Sequence, residues 1–206
     1  MTAMIPAARR FALPLAAALG LTLSLGGCIS LGGGKAPPTL FTLTATAAPA
    51  AGASASGAAG DGLVVLDPDT DRSLAVQRVA VTVDASNIAY LKDAMWAERP
   101  ARLMRHLLAE TLRARGTQLV FEDSEAAGGG RMRLGGRLLA CGYDAPTASA
   151  LVRFDAVRQG PGTTIVTRRF ESSVPVSKAD ARRVGPALNQ AANQVATQVA
   201  DWIAGG

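Results

Sequence analysis

Aromatic side chains are scarce in this 206-residue chain, which has five Phe, two Trp, two Tyr, a single histidine and two cysteines. So few rings, with no dense run of Lys or Arg between them, leave neither a stacking platform nor a basic stripe for a nucleic acid. The lone histidine, His106, does not by itself make the usual zinc site, and no Ser-His-acid order anchors a hydrolase. Two cysteines are no disulfide scaffold. Charge is also thin, at 18% of residues against 49% hydrophobic, although much of the hydrophobic excess is alanine and one N-terminal run. The formal charge of +5 includes Arg9 and Arg10; without residues 1–27 the balance is 19 − 16 = +3. A solvated basic face accounts for so mild an excess.

The N-terminal apolar stretch Phe11–Leu25 has 15 residues and contains Pro14 and Gly20, short of the roughly 20 that a membrane-spanning helix needs. Arg9-Arg10 before it and Leu25-Gly26-Gly27-Cys28 after it give the charged, apolar and small-residue parts of a secretory signal. Leucine, two small residues and cysteine resemble the bacterial lipobox, at which the thiol is acylated by diacylglycerol and the chain is cut in front of it. Residues 1–27 are therefore expected to be a lipoprotein signal peptide and Cys28 the lipid attachment site, carrying palmitate-type chains. Each buried methylene contributes about 0.8 kcal/mol, so two or three chains anchor the protein stably. Ile29 stands where an aspartate would retain a lipoprotein in the inner membrane, so the chain resembles one sent to the periplasmic face of the outer membrane. Cys141 is then left without a partner and reads as a small buried hydrophobe rather than a nucleophile.

Residues 28–38 are rich in Gly and Pro, and residues 45–61 are almost wholly Ala, Gly, Ser, Thr and Pro. Both read as flexible, because such side chains bury too little to offset the entropy of ordering. The folded unit is expected over 39–204, with 45–61 as an insertion after a first strand at Thr39–Thr44. Alternation marks Val79–Asp84 as a second strand. From Arg99 to Arg115 the period changes: Leu103, Met104, Leu107, Leu108, Thr111 and Leu112 recur at helical spacing, with Arg102, Arg105, Glu110 and Arg113 on other faces. Pro100 suits the first turn and Gly116 the end.

Strands follow at Gln118–Phe121, Arg131–Cys141, Ser149–Val157 and Thr164–Val174. The last three form an antiparallel meander, with turn residues at Asp144–Thr147 and Gln159–Gly162. In the first of the three, Met132, Leu134, Leu138 and Ala140 are expected to share the buried face. Val184, Leu188, Ala191, Val195, Val199, Trp202 and Ile203 mark a final helix, with Ser177 and Asp180 available as caps. Pro186 predicts a main helix from about 186, or a kink there. Two helices on one face of a mostly antiparallel sheet make an α+β two-layer sandwich.

Motifs that suggest chemistry fail on their details. Asp67-Pro68-Asp69-Thr70-Asp71 opens like a calcium loop, but the sixth and twelfth positions are Arg72 and Arg78, so a polar turn is expected. Gly32-Gly33-Gly34-Lys35 lacks the first glycine and the hydroxyl of a phosphate loop. Glu122-Asp123 is explained by a solvated turn, and His106 by a surface or boundary position on its helix.

The stretch Asn87–Ala97 (Asn-Ile-Ala-Tyr-Leu-Lys-Asp-Ala-Met-Trp-Ala), with Ala101-Arg102-Leu103-Met104 and the helix to Gly116, closely resembles the ABC-type transport auxiliary lipoprotein family, which includes the paraquat-inducible protein C type. Phe170–Val176 and Ala187-Leu188, Ala191-Ala192, Val195 and Trp202-Ile203 are similar to its C-terminal part. The resemblance implies a fold like the N-terminal domain of TolB. It also implies a non-enzymatic partner of an MCE-domain substrate-binding protein, in an ABC system moving phospholipid or other lipid between inner and outer membranes. Energy would come from ATP hydrolysed elsewhere, with no cofactor on this chain and no metal. A second copy of the chain is a further candidate partner, as a homo-oligomer. Tyr90, Leu91, Met95 and Trp96 are the candidate partner or lipid contacts if exposed; Trp96 otherwise fastens the start of the first helix to the core, where Trp202 also belongs. The rival reading is a structural envelope lipoprotein that binds peptidoglycan or another envelope protein, with an envelope hydrolase third.

Overall fold

A computed structural model describes residues 38–116, 118–122, 132–160, 162 and 164–205. The signal segment, Cys28, Asp123 and Arg131 lie outside the described residues. In chain order the elements are β1 (Thr39–Phe41), a 3-10 turn at Ala59–Asp61, β2 (Leu63–Val65), β3 (Asp69–Thr70), β4 (Arg78–Thr82), β5 (Ile88–Trp96), α1 (Pro100–Arg115), β6 (Val120–Glu122), β7 (Met132–Asp144), β8 (Ser149–Gln159), β9 (Ile165–Pro175) and α2 (Ala181–Ala204).

The meander β7–β8–β9 is the backbone of the sheet. Each neighbouring pair in it shares an antiparallel register along nearly its whole length. The other edge of β7 is covered piecewise by parallel strands: β2 at Met132–Leu134, β3 at Arg137–Leu138 and β4 at Gly142–Asp144. From there the sheet forks, with β6 beside β2 and with β5 then β1 beyond β4. Among the described residues it is a mixed, mostly antiparallel sheet of nine strands, and two helices cover one face, the expected α+β sandwich. Helix α2 lies over β7, β8 and β9; α1 packs beside α2 and over β2 and β6.

Alternation explains which face is covered. Ala150, Val152, Phe154 and Ala156 of β8 are fully buried under α2. In β7 the buried series begins with Leu134 and Leu138, and a bulge at Leu139 then shifts its phase, so that Cys141 and Tyr143 are buried. Ala140, expected on the core face, instead lies opposite Arg153 on the open face. One inserted residue reverses every later side chain. Gly136 is required in the same strand: at φ 136° its added Cβ would sit 2.0 Å from the Asp155 carbonyl oxygen.

Helix α1 begins at Pro100 and ends on Gly116, whose φ of 64° is left-handed and whose N–H donates to the Arg113 carbonyl. Helix α2 starts five residues earlier than the 186 expected from Pro186. Asp180 caps it, its carboxylate accepting from the Arg183 N–H at 3.1 Å, and Pro186 lies within the helix. Eleven of the 24 residues of α2 are buried, and that large apolar face outweighs the single donor lost at Pro186. Asn189 Oδ1 and Asn193 Oδ1 accept from the backbone N–H groups of Thr44 and Thr46, both at 2.8 Å, fixing the chain after β1 to α2.

Candidate functional site

All four candidate contact residues fall on β5, and a bulge decides which way each one points. Ala80 pairs with Tyr90 and Arg78 with Met95, so β5 carries three extra residues between those pairs, with Asp93 at φ 56°. Leu91, Ala94 and Trp96 consequently face the core, at 8%, 4% and 1% exposure. Exposure, the condition for a contact role, is therefore unmet at Leu91 and Trp96. The Trp96 indole meets the Phe41 ring edge on, and its Nε1 is buried without a hydrogen-bond partner among the described residues.

Tyr90 and Met95 are half-buried. The Arg78 guanidinium lies 3.7 Å from the centre of the Tyr90 ring, a cation–π stack. Beside Met95, and paired with it in register, is Leu40 of β1, which is 64% exposed. The outward surface is therefore Leu40 and Met95 together with the Arg78–Tyr90 stack. Sequence reasoning missed Leu40 and Arg78. The available signal for Leu40 was parity: Phe41 and Leu43 share one face of the first strand, and Leu40 stands on the other.

A second cluster joins α1 to β6. Arg105, expected on an outer face of α1, is buried, and its guanidinium lies 3.0 Å from Glu122 and 2.9 Å from Asp67. Glu122, expected in a solvated turn, is buried as well; His106 Nδ1 lies 2.6 Å from it and Arg113 3.3 Å. The half-exposed His106 is thus a boundary residue, as its spacing suggested. Contacts of Glu122 with Arg105, His106 and Arg113 hold the helix to the strand, and among the described residues they include no hydroxyl or thiol nucleophile. Asp69–Thr70, expected as plain turn, is the bridge β3, and Asp71 pairs with Arg137.

Among the described residues no three His, Cys, Asp or Glu side chains are grouped to hold a metal ion. Burial pushes the Cys141 thiol up to about 12, which keeps it neutral and unreactive. Trp202 is half-buried and meets the Phe170 ring at a tilt of 57°, with centroids 5.6 Å apart. No described helix is long and apolar enough to cross a membrane.

The sequence profile of the family described as ABC-type transport auxiliary lipoprotein component matches residues 41–200. No curated protein matches the chain. Among solved structures, a Xanthomonas campestris protein of the DUF330 family is 19% identical, over 81% of this chain and 92% of its own, with a TM-score of 0.62. A second crystal structure, of an uncharacterized protein, is 14% identical over 81% of this chain and 99% of its own, with a TM-score of 0.65. At these identities the likeness is one of fold.

Proposed function

The chain belongs to the ABC-type transport auxiliary lipoprotein component family, and on that premise we propose that it is a lipid-anchored, non-enzymatic docking subunit at the periplasmic face of the outer membrane. Its partner in this reading is the MCE-domain protein of an ABC system that moves phospholipid or other lipid between the two membranes. The observation that carries the reading is the family match over 41–200; the Leu25-Gly26-Gly27-Cys28 stretch ahead of it, which resembles a lipobox, supports it. The chain from Cys28 to β1 spans at most about 36–40 Å when extended, which keeps the folded domain close to the membrane that holds the lipid.

The chemistry of the domain agrees with docking rather than turnover. Its buried thiol is held neutral and its one histidine is engaged by Glu122, while β1, β5 and β4 present Leu40, Met95 with Tyr90, and Arg78 on a face that no described element covers. Aromatic, Met and Arg side chains are those enriched where proteins meet.

Intact mass of the protein from membranes tests the anchor: the expected product begins at Cys28 and carries diacylglycerol and acyl mass, and an unmodified thiol there would overturn it. Leu40→Asp, which leaves the core untouched, tests the surface. It should abolish co-purification with the MCE protein while the melting temperature holds. Retention of sacculi binding with no MCE protein recovered from the parent chain would favour the structural-lipoprotein alternative.

A further inference from the structure

Three turns lie side by side at one end of the sheet: β4 to β5 at 83–87, β7 to β8 at 145–148, and β9 to α2 at 176–180. The Ala145 N–H donates to the Thr82 carbonyl at 2.9 Å and the Val176 N–H to the Ala148 carbonyl at 2.8 Å, which joins the turns into one rim. Charge is thin along it. Residues 79–91 hold one charged side chain, Asp84, and residues 138–152 hold one, Asp144. Both carboxylates fold back on their own turns: Asp84 accepts from the Ser86 N–H and the Asn87 amide, each at 2.8 Å, and Asp144 from the Thr147 N–H at 3.1 Å. Val83, Ala85, Ile88, Ala89, Ala145 and Pro146 are all exposed there.

Val83 and Ile88, at 44% and 57% exposure, are two of the four exposed large hydrophobics among the described residues. They stand on opposite faces of the hairpin. Ile88 pairs with Thr82, whereas the Val83 N–H donates to the Asn87 carbonyl one step further on, and successive pairs face opposite ways. A flat protein partner laid on one face would cover only one of the two. An occupant entered end on surrounds both, and a phospholipid surface is of that kind.

The path of the chain points to the same end. Strand β1 runs parallel to β5, with Thr39 opposite Ala94 and Phe41 opposite Trp96, so its N-terminal end is directed toward the start of β5 at Ile88. It is also directed toward the N-terminal end of α2, because Phe41 lies at Gly185 while Thr44 and Thr46 reach Asn189 and Asn193 further along. Lys178 and Arg182 are exposed at that end of α2. Thr39 is the eleventh residue after Cys28, a reach of at most about 36–40 Å.

We propose that this rim is a second membrane contact, in which the β4–β5 hairpin enters the phospholipid surface end on. Val83 and Ile88 sit at the boundary between headgroups and acyl chains, with Lys178 and Arg182 among the phosphates. Asp84 and Asp144 set the depth, since an ionised carboxylate stays with headgroups and water rather than in hydrocarbon. The inference rests on the lipid anchor at Cys28, because two aliphatic side chains are too few to hold the domain alone. Their effect is to orient it, with Ile165, at the opposite end of the sheet, directed away from the lipid.

Quenching of an environment-sensitive label on the full-length lipoprotein tests this, in vesicles of phosphatidylethanolamine and phosphatidylglycerol that include lipid spin-labelled just below the headgroup. The label is carried by Ile88→Cys, Ala85→Cys or Ile165→Cys, with circular dichroism to verify folding; Cys141 is buried and does not compete. Labels at 85 and 88 should be quenched at least about twofold more strongly than one at 165, as shallow interfacial insertion requires. Adding Val83→Asp and Ile88→Asp to Ala85→Cys should reduce its quenching to the level at 165 while the protein stays on the vesicles. Equal quenching at 88 and 165 on bound protein, quenching that survives the two aspartates, or shielding of position 88 only when the MCE protein is added overturns the inference and leaves the anchor standing. A chain that carries no lipid and does not bind overturns the anchor instead. The Cys28→Ser chain, held to nickel-chelating vesicles by an N-terminal histidine tag, then tests the rim alone by the same comparison of labels.

Discussion

The Trp96 indole and the Phe41 ring meet edge to face, with centroids 5.7 Å apart and planes at 84°. This contact ties the first strand to the end of β5, immediately before α1. Phe41 and Trp96 are also in register across the parallel β1–β5 pair, and the Ala97 N–H donates to the Phe41 carbonyl at 2.8 Å. Trp96→Ala should cost roughly 3–5 kcal/mol in urea unfolding, the usual loss for a buried large ring. Because Nε1 has no described partner, Trp96→Phe should cost clearly less: it keeps a ring and removes a desolvated donor. Equal losses for the two variants would mean that the indole N–H is satisfied.

Phe41 also limits what α2 can place above it. A Cβ added at Gly185 would lie 2.9 Å from Cε1 of that ring. Gly185→Ala should therefore destabilise by about 1–3 kcal/mol through overpacking, although alanine is the better helix former. Pro186→Ala, one residue on and exposed, should act in the opposite direction. It restores the backbone donor and removes the ring's clash with the Arg182 carbonyl, a gain of up to about 3 kcal/mol. Thermal melts of the two variants should move apart, and a shared direction would reject this account of the first turns of α2.

Arg105 and Glu122 are a buried ion pair whose partners sit on different elements. Glu122→Ala leaves the guanidinium without its buried counter-charge and should cost about 3–5 kcal/mol. Replacing both, as Arg105→Leu with Glu122→Leu, should be less damaging than Glu122→Ala alone, since the buried guanidinium leaves with its counter-charge, Arg113 keeps Glu110, and Asp67 and His106 are reached by solvent. A double variant less stable than the single would show that the pair is favourable in itself.

These residues mark the boundary of what the sequence discloses. The meander, both helices and the helix-capped layering follow from local periodicity and turn residues, which act over a few positions. The Asn87–Ala97 stretch is likewise contiguous, so the family was legible. Strands β2, β3 and β5 were not, because two of them are only two or three residues long and the third is interrupted by a three-residue bulge at Asp93 that destroys its alternation. The burial of Arg105 and Glu122 was hidden for a similar reason: each is a polar residue whose partner is 17 positions away, and patterning within one helix treats such a residue as solvated. Leu40 and Arg78 are neighbours of Met95 only through the pairings with β1 and β4, which no linear pattern displays.

On the open face, Arg169 grips Asp155 with two hydrogen bonds, Nε to Oδ1 at 2.6 Å and Nη2 to Oδ2 at 2.7 Å. These bonds, aided by the fields of Arg169, Arg153 and Arg137, hold the Asp155 carboxyl below its ordinary 3.8. The unfolded chain therefore takes up this proton at a higher pH than the folded one. Stability from the pair is complete above the ordinary carboxylate range and is lost as pH falls through the depressed folded value. Asp155→Asn should accordingly flatten the acid limb of a stability-versus-pH curve below about pH 4, while changing little at pH 7 beyond the small worth of a partly exposed pair. Salt should mimic the substitution in part, because at 1 M the screening length shrinks to about 3 Å and reduces the contributions of Arg153 and Arg137. It should leave the bidentate contact itself largely intact. Chemical denaturation at pH 3 and pH 7, with and without salt, separates the two. An acid limb unchanged in Asp155→Asn would place the proton-linked loss on other carboxylates.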